Sequence, residues 1–411
     1  MSDGGGVIAE VFATEWARVV ATVARDFGDL ELAEDCAQEA FEAASGRWTT
    51  EGVPASPGGW LVTVARRRAI DVLRRDRRFE ARLPALSRAR ERATSATPLV
   101  DDRLALLVSC CHPALAPDAR VALTLKLVGG LTVAQIAQAF VVTEGAMARR
   151  LSRARGKIRR AGIRIQPPDR ESLTDRIAVV RTVIYLIFTQ GHTATGTAEL
   201  VRGDLCDEAR WLAGLLVELV PDDPENLGLA ALIDLTDARR SERVDAAGRL
   251  RLLEDQDRSR WDRALIQSGL SLLARAHTHR RLGSFQLRAA VAALHSTAPS
   301  LEETDWESIV ALYDTMLAED TDPILVLNRL VARSRLDSAI EALAELEDLA
   351  AGGRLEDYPY LHSTRAELLL RSGRPGEALK WFERALELSD NPVEVAHLRH
   401  RIAAAGGGSG S

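Results

Sequence analysis

The chain has 411 residues, more than one compact domain usually holds, so several separate cores are expected. It is 46% hydrophobic, 27% charged and only 5% aromatic, a helix-favouring balance rich in Ala, Leu, Arg and Glu that predicts an all-α protein. Four cysteines without ligand-like spacing, and no basic-then-apolar leader, point to a reducing cytoplasm; no apolar run reaches the roughly 18 residues of a membrane span, since even IAVVRTVIYLIF is broken by Arg181.

The net charge of −6 conceals a division: residues 1–165 hold 25 Lys+Arg against 19 Asp+Glu, a net of +6, leaving −12 for the remainder. Within the first part the cations gather twice. Residues 66–92 carry eleven Arg against four acids, and residues 149–164 carry eight Lys+Arg against none, which predicts two separate contacts with a polyanion.

In chain order, residues 7–27 have helical apolar spacing, and Asp29 announces a second helix over 30–47. GVPASPGG predicts a loop, followed by a helix over 60–78 whose buried face is Leu61, Ala65, Ala69 and Val72. Thr63, Arg66, Arg67, Arg74 and Arg78 share another face beside Trp60, and with Arg75 they form a basic rod suited to opened DNA strands, Trp60 being either a base-stacking group or core. A first domain of residues 1–80 is expected, then a flexible linker over 81–100.

Residues 101–166 read as a second unit: a helix stopped at Pro113, one started at Pro117 and ended by Gly129-Gly130, then LTVAQIAQAFVVTEGAMARRLSRARGKIRRAGI. There Thr132 and Thr143 are placed to cap two helices and Ala137 is small enough for them to cross, which is helix–turn–helix patterning, although the turn AFVV lacks the usual glycine. Met147, Leu151, Ala154 and Ile158 should face the core; Glu144, Ala146, Arg149 and Arg150, with the capping Thr143, are the candidate base readers, and Arg153 and Lys157 the candidate phosphate contacts.

Residues 167–405 predict an acidic, helical extension, and the Gly/Ser tail 406–411 is set apart from the fold. YLHSTRAELLLRSGRPGEALKWFERALELSDNP resembles a tetratricopeptide repeat, with Ala366, Ala378, Ala385 and Phe382 at packing positions, and weaker echoes lie at 208–232 and 322–346. Cys110-Cys111-His112 lacks a second ligand pair, so neither metal nor cofactor is expected. His192 and the group Glu254, Asp255, Asp257 and Trp261 are pocket candidates without a nucleophile, so no enzyme is expected.

LAEDCAQEAFEAA, then WLVTVARRRAIDVLRRDRR, a linker, and a helix–turn–helix ending in LSRARGKIRR resemble in order and spacing the two defining domains of extracytoplasmic-function sigma factors, over residues 7–163. SCCHPAL, GLTVAQIAQAF and LLEDQDRSRWDRALIQSGL resemble the subgroup with a long tetratricopeptide-like extension. The resemblance implies a partner, core RNA polymerase, met at the clamp of its largest subunit and the flap of the second. It implies clamp contacts at Leu32, Asp35, Gln38, Glu39 and Phe41, with Leu32 and Phe41 alternatively core. It assigns the basic helix from Trp60 to the minus-ten element, duplex and melted, and the helix–turn–helix to the minus-thirty-five element.

Such a protein would be cytoplasmic and nucleoid-associated, with no membrane contact. A net −12 extension tethered to net +6 sigma domains could shield them electrostatically, through an intramolecular contact among other ways, or could bind a peptide or polymerase surface; the charge asymmetry makes regulation in cis the expectation. Two rival readings are a polymerase-independent DNA-binding regulator and a helical-repeat peptide-binding scaffold.

Overall fold

A computed structural model describes residues 4–75, 102–140, 142–163, 165, 170–193, 201–245, 248–336 and 338–407. The described residues are helical, with one isolated antiparallel bridge between Val244 and Leu250, so the chain is all-α. It divides into two units, Met1–Ile187 and Phe188–Ser411.

In the first unit α1 (Gly4–Phe27) closes on Gly28, whose φ of 70° lets its N–H reach the Ala24 carbonyl at 2.8 Å. Asp29 then accepts from the Glu31 and Leu32 N–H groups and starts α2 (Leu30–Glu51). α2 runs four residues past the expected end at Arg47, because Trp48 is buried and packs on Trp60 with ring centroids 5.3 Å apart. α3 (Pro57–Arg75) starts three residues earlier than expected: Pro57 presets the first helical φ, and Gly58 lies where a Cβ would meet the Glu15 carboxylate. Residues 76–78, Arg78 among them, and the expected linker 81–100 lie outside the described residues. The three helices meet on alanines: Ala33, Ala37, Ala40 and Ala44 of α2 and Ala65 and Ala69 of α3 are fully buried, which lets the backbones approach closely around Val19, Val20, Val23 and Leu61. Val72, expected inside, is exposed, and Leu73 takes its place, because the inward stripe climbs strictly by fours through 61, 65, 69 and 73.

The same unit continues with α4 (Asp102–Cys110), α5 (Pro117–Leu127), α6 (Val133–Ala139) and α7 (Glu144–Arg160). α4 is buried from Leu104 onward. Cys110 and Cys111 belong to that core: burial pushes both thiols up, Cys111 to about 12, and the Cys111 Sγ sits 3.6 Å from Thr124 Oγ1. α8 (Arg170–His192) crosses the boundary between the units, which falls at residues 187–188 rather than at Pro167-Pro168; Arg176 on it lies close enough to His112 to lower the imidazole pKa after burial has done so.

In the second unit α10 (Pro224–Asp237) is buried along almost its whole length, packed by α9 (Gly203–Leu219), α11 (Arg263–Thr278) and α12 (Ser284–Thr297). Two glycines permit these crossings: a Cβ at Gly228 would stand 2.7 Å from the Gln286 backbone N, and one at Gly269 2.6 Å from Leu235. α13 (Trp306–Leu317), α14 (Pro323–Arg333), α15 (Ala339–Ala351), α16 (Pro359–Arg371), α17 (Pro375–Leu388) and α18 (Pro392–Gly407) follow, each packing on the next. In the α16–α17 hairpin Gly373 turns at φ 73°, Ala366, Ala378 and Ala385 are fully buried, and Phe382 fills the space between. Among the described residues no helix is long and apolar enough to cross a membrane.

Candidate nucleic-acid interface

Two caps build the helix–turn–helix. Gln135 N–H donates to Thr132 Oγ1 at 3.2 Å while Thr132 N–H donates back to Gln135 Oε1 at 2.8 Å, so two amides that would otherwise be orphaned at the start of α6 are both satisfied. At the start of α7 the Ala146 N–H donates to Thr143 Oγ1 at 3.2 Å. The α6–α7 turn closes without glycine through the Val142 N–H, which donates to the Ala137 carbonyl at 3.0 Å.

Met147, Leu151, Ala154 and Ile158 of α7 are buried as the periodicity requires, and Glu144, Arg149, Arg153 and Lys157 are exposed. Ala146 is half-buried. Arg150 is less free than its neighbours: its guanidinium lies 3.4 Å from Asp118 and 5.3 Å from the centre of the Phe140 ring, so it is held at the edge of the reading face.

On α3, Thr63, Arg67, Arg74 and Arg75 are exposed, and Trp60 is half-buried on Trp48. Arg66 is turned inward, with its Nε 2.8 Å and Nη2 2.7 Å from the fully buried Asp26 carboxylate. A guanidinium that satisfies a buried acid is not spare for phosphate, so Arg66 leaves the candidate DNA surface. On α2, Asp35, Gln38 and Glu39 line one exposed face with Leu32 half-buried beside them, while Glu39 meets Arg68 at 3.3 Å and Gln38 donates to Glu42 at 3.0 Å. Phe41 is a correction: it is buried, 5.0 Å from the Phe12 ring and 5.8 Å from Trp16, and its side chain presents no surface to a partner.

Sequence reasoning missed a set of charges within the first unit. Glu34 on α2 receives Lys126 Nζ at 3.0 Å and the Arg155 guanidinium, and Asp102 receives Arg25 Nη1 at 2.6 Å on each oxygen. A signal was present: Leu30, Glu34, Ala37, Phe41, Ala44 and Trp48 recur at alternating steps of four and three, so Glu34 is an acid on an otherwise apolar stripe.

The pocket candidates of the extension serve structure. His192 is buried against Arg243, whose guanidinium donates to the His192 carbonyl and lies 3.1 Å from its Nδ1; burial, then Arg243 and Arg239, hold its pKa well below the imidazole range. Arg335 donates to Glu254 at 3.0 Å, Asp257 caps Ser259 at 2.9 Å, and Trp261 is buried under Arg258.

The family model for sigma-70 region 2 matches residues 12–79 and that for sigma-70 region 4 matches residues 105–158. A family of unknown function (DUF6596) matches residues 176–277, and a tetratricopeptide repeat matches residues 359–392. An uncharacterized protein of Rhizobium meliloti (strain 1021) is 42% identical over 386 residues, covering 92% of this chain and 91% of its own. No solved structure matches the chain. The two regions are those of a non-enzymatic transcription initiation factor, and they imply binding to core RNA polymerase and promoter DNA. The chain belongs to the sigma-70 family and carries a helical extension that contains a tetratricopeptide repeat.

Proposed function

We propose that this chain is an initiation factor of the extracytoplasmic-function type, working in the cytoplasm on the nucleoid and regulated by its own extension. Region 2 would meet the polymerase clamp through Leu32, Asp35, Gln38 and Glu39. Arg67, Arg74 and Arg75, with Thr63 and Trp60, would hold the minus-ten element and its opened strand, and region 4 would meet the flap and read the minus-thirty-five element through α7. The observation that carries the reading is the one-sided helix α7: its apolar stripe is buried, and Arg149, Arg153 and Lys157 stand exposed on the opposite side behind a capped N-terminus, as a major-groove helix requires.

The test is transcription from a promoter library by core polymerase with and without the protein. Start sites that depend on it and share two spaced elements are expected, and Arg149→Ala with Arg153→Ala should abolish selection at the upstream element only. No dependent transcripts, from the whole chain or from a chain ending at Ile187, would sink the reading. Transcripts from the shortened chain alone would establish that the extension inhibits, and equal transcription from both would remove the extension from regulation.

A further inference from the structure

We propose that the face of the extension formed by α16, α17 and α18 docks an acidic segment of a partner protein with the pattern Leu-x-Leu-x-Glu, and that in the free chain residues 250–254 occupy this site as an internal substitute. The site lies within the second unit, and the inference does not depend on the initiation reading.

Between α10 and α11 the described residues form three short 3-10 turns and one isolated bridge, so this strap is held by side chains rather than by a helix ladder. Its base is fastened twice: the almost fully buried Glu242 receives Arg251 Nη1 at 2.6 Å and Arg260 Nη1 at 3.1 Å, and Arg258 donates to the His295 and Ala298 carbonyls at 2.8 and 2.9 Å. Its tip is held by less: Leu250, Leu252 and Leu253 are half-buried, and Glu254 and Asp255 are exposed. In extended backbone alternate side chains share a face. Leu250 and Leu252 accordingly line one cavity together with Tyr360 of α16, Phe382 and Ala385 of α17 and Leu398 of α18, while Arg251 between them turns to Glu242. Two residues further on, Glu254 receives Arg335 at 3.0 Å. The carboxylates that border the cavity are already satisfied, Glu367 by Arg401 and Glu394 by the Tyr360 hydroxyl, so recognition falls to the two leucines and to the pair of Arg335 with Glu254.

Three features set this contact apart from core packing. The first is its fit: with both leucines in place a cavity of about 140 Å³ remains, close to the roughly 150 Å³ void that holds benzene in an engineered core, whereas packed interiors leave few voids larger than a water. A segment with phenylalanine in place of the second leucine would fill that space, so the strap is not the best occupant. The second is the ion pair: the side chains of Arg335 and Glu254 are 32% and 44% exposed, and such pairs contribute little, so Arg335 sets register and leaves the strap releasable. The third is that release leaves the fold standing, because Glu242 keeps Arg260 and the Arg258 bonds are untouched when residues 248–255 lift. Charge completes the match. Arg371 of α16, its pKa lowered by burial and then by Arg335, is partly restored by Glu254, so two cations attend the one acid. A tethered strap competes at an effective concentration on the order of millimolar; a partner segment prevails by better fit or local abundance, and its binding shifts the population from strapped to open.

The test is fluorescence anisotropy of a labelled synthetic peptide carrying residues 249–257, titrated with the full-length chain in the absence of polymerase and DNA. A chain whose strap is emptied by Leu250→Ser, Leu252→Ser and Glu254→Gln is expected to bind the peptide at least tenfold more tightly than the wild type, and a peptide with both pocket leucines changed to serine is expected to lose that binding. Arg335→Glu in the emptied chain should weaken binding several-fold, and a peptide carrying Glu254→Arg should recover it. A peptide carrying Leu252→Phe should bind more tightly than the native sequence. Should the emptied chain fail to fold by circular dichroism, Glu254→Arg alone, at an exposed position, takes its place and should bind the native peptide several-fold more tightly than the wild type does. A folded variant that binds no better than the wild type would make the strap a fixed part of the fold, and binding that survives loss of both peptide leucines would reduce the contact to general charge attraction; either result overturns the proposal.

Discussion

Arg149 and Arg66 carry the same charge on neighbouring candidate surfaces, yet their environments assign them different work. Arg149 projects from the exposed face of α7; as a bidentate reader of guanine its replacement by Ala should cost about 1–3 kcal/mol and relax preference at one base pair, measured by competition between operator variants. Arg66 neutralises Asp26, so Arg66→Ala should instead lower the melting temperature of the first unit, because it strips a partner from a buried acid. The charge count in the sequence was identical for both, and only the tertiary position of Asp26 separates them. A pH effect belongs to Glu208, whose Oε1 is shielded without a hydrogen-bond partner and whose pKa burial raises to about 8 from 4.5. The folded state then holds the proton more tightly than the unfolded chain. Stability of the second unit should fall as pH rises from 4.5 to 8, by at most about 1.4 kcal/mol per pH unit, and thermal unfolding of Glu208→Gln should lose that slope.

Helix α7 was legible from the sequence because its two faces are set by local rules. Thr143 satisfies an N-terminal amide, and the apolar stripe through 147, 151, 154 and 158 needs no knowledge of its partner helices. The same cap gives a prediction for the element as a whole: Thr143→Ala should destabilise the first unit by about 1 kcal/mol in denaturant titration and weaken upstream-element binding through fraying of the reading end. Helices α2 and α3 were legible as helices but not in their bounds or inward faces. Trp48 draws α2 onward by burying against Trp60, and Leu73 replaces Val72 because α3 crosses its neighbours along a row of fours. Both depend on the crossing helix, which periodicity alone does not reveal. Phe41 was ambiguous for the same reason: an aromatic on an amphipathic helix reads equally as core or contact until Phe12 and Trp16 are placed beside it.

At the scale of the molecule, the division of charge and the division of structure nearly coincide, the first unit holding the cationic sequence and the second the acidic one. If Arg67, Arg74, Arg75, Arg153 and Lys157 each meet one phosphate, the logarithm of promoter affinity should fall against the logarithm of salt with a slope of about −4.5. Each alanine substitution among them should flatten it by about 1, whereas Arg66→Ala should leave it unchanged. Regulation by the acidic extension, as proposed, would act on a different quantity. A tethered net charge of −12 opposes approach to DNA through the general field, which is screened over about 10 Å at 0.1 M salt. Ending the chain at Ile187 should therefore raise non-specific DNA affinity at low salt and have little effect at high salt, as read by fluorescence anisotropy on a duplex without promoter elements. An increase that persists at high salt would mean that the extension covers the DNA surface by contact rather than opposing DNA by charge.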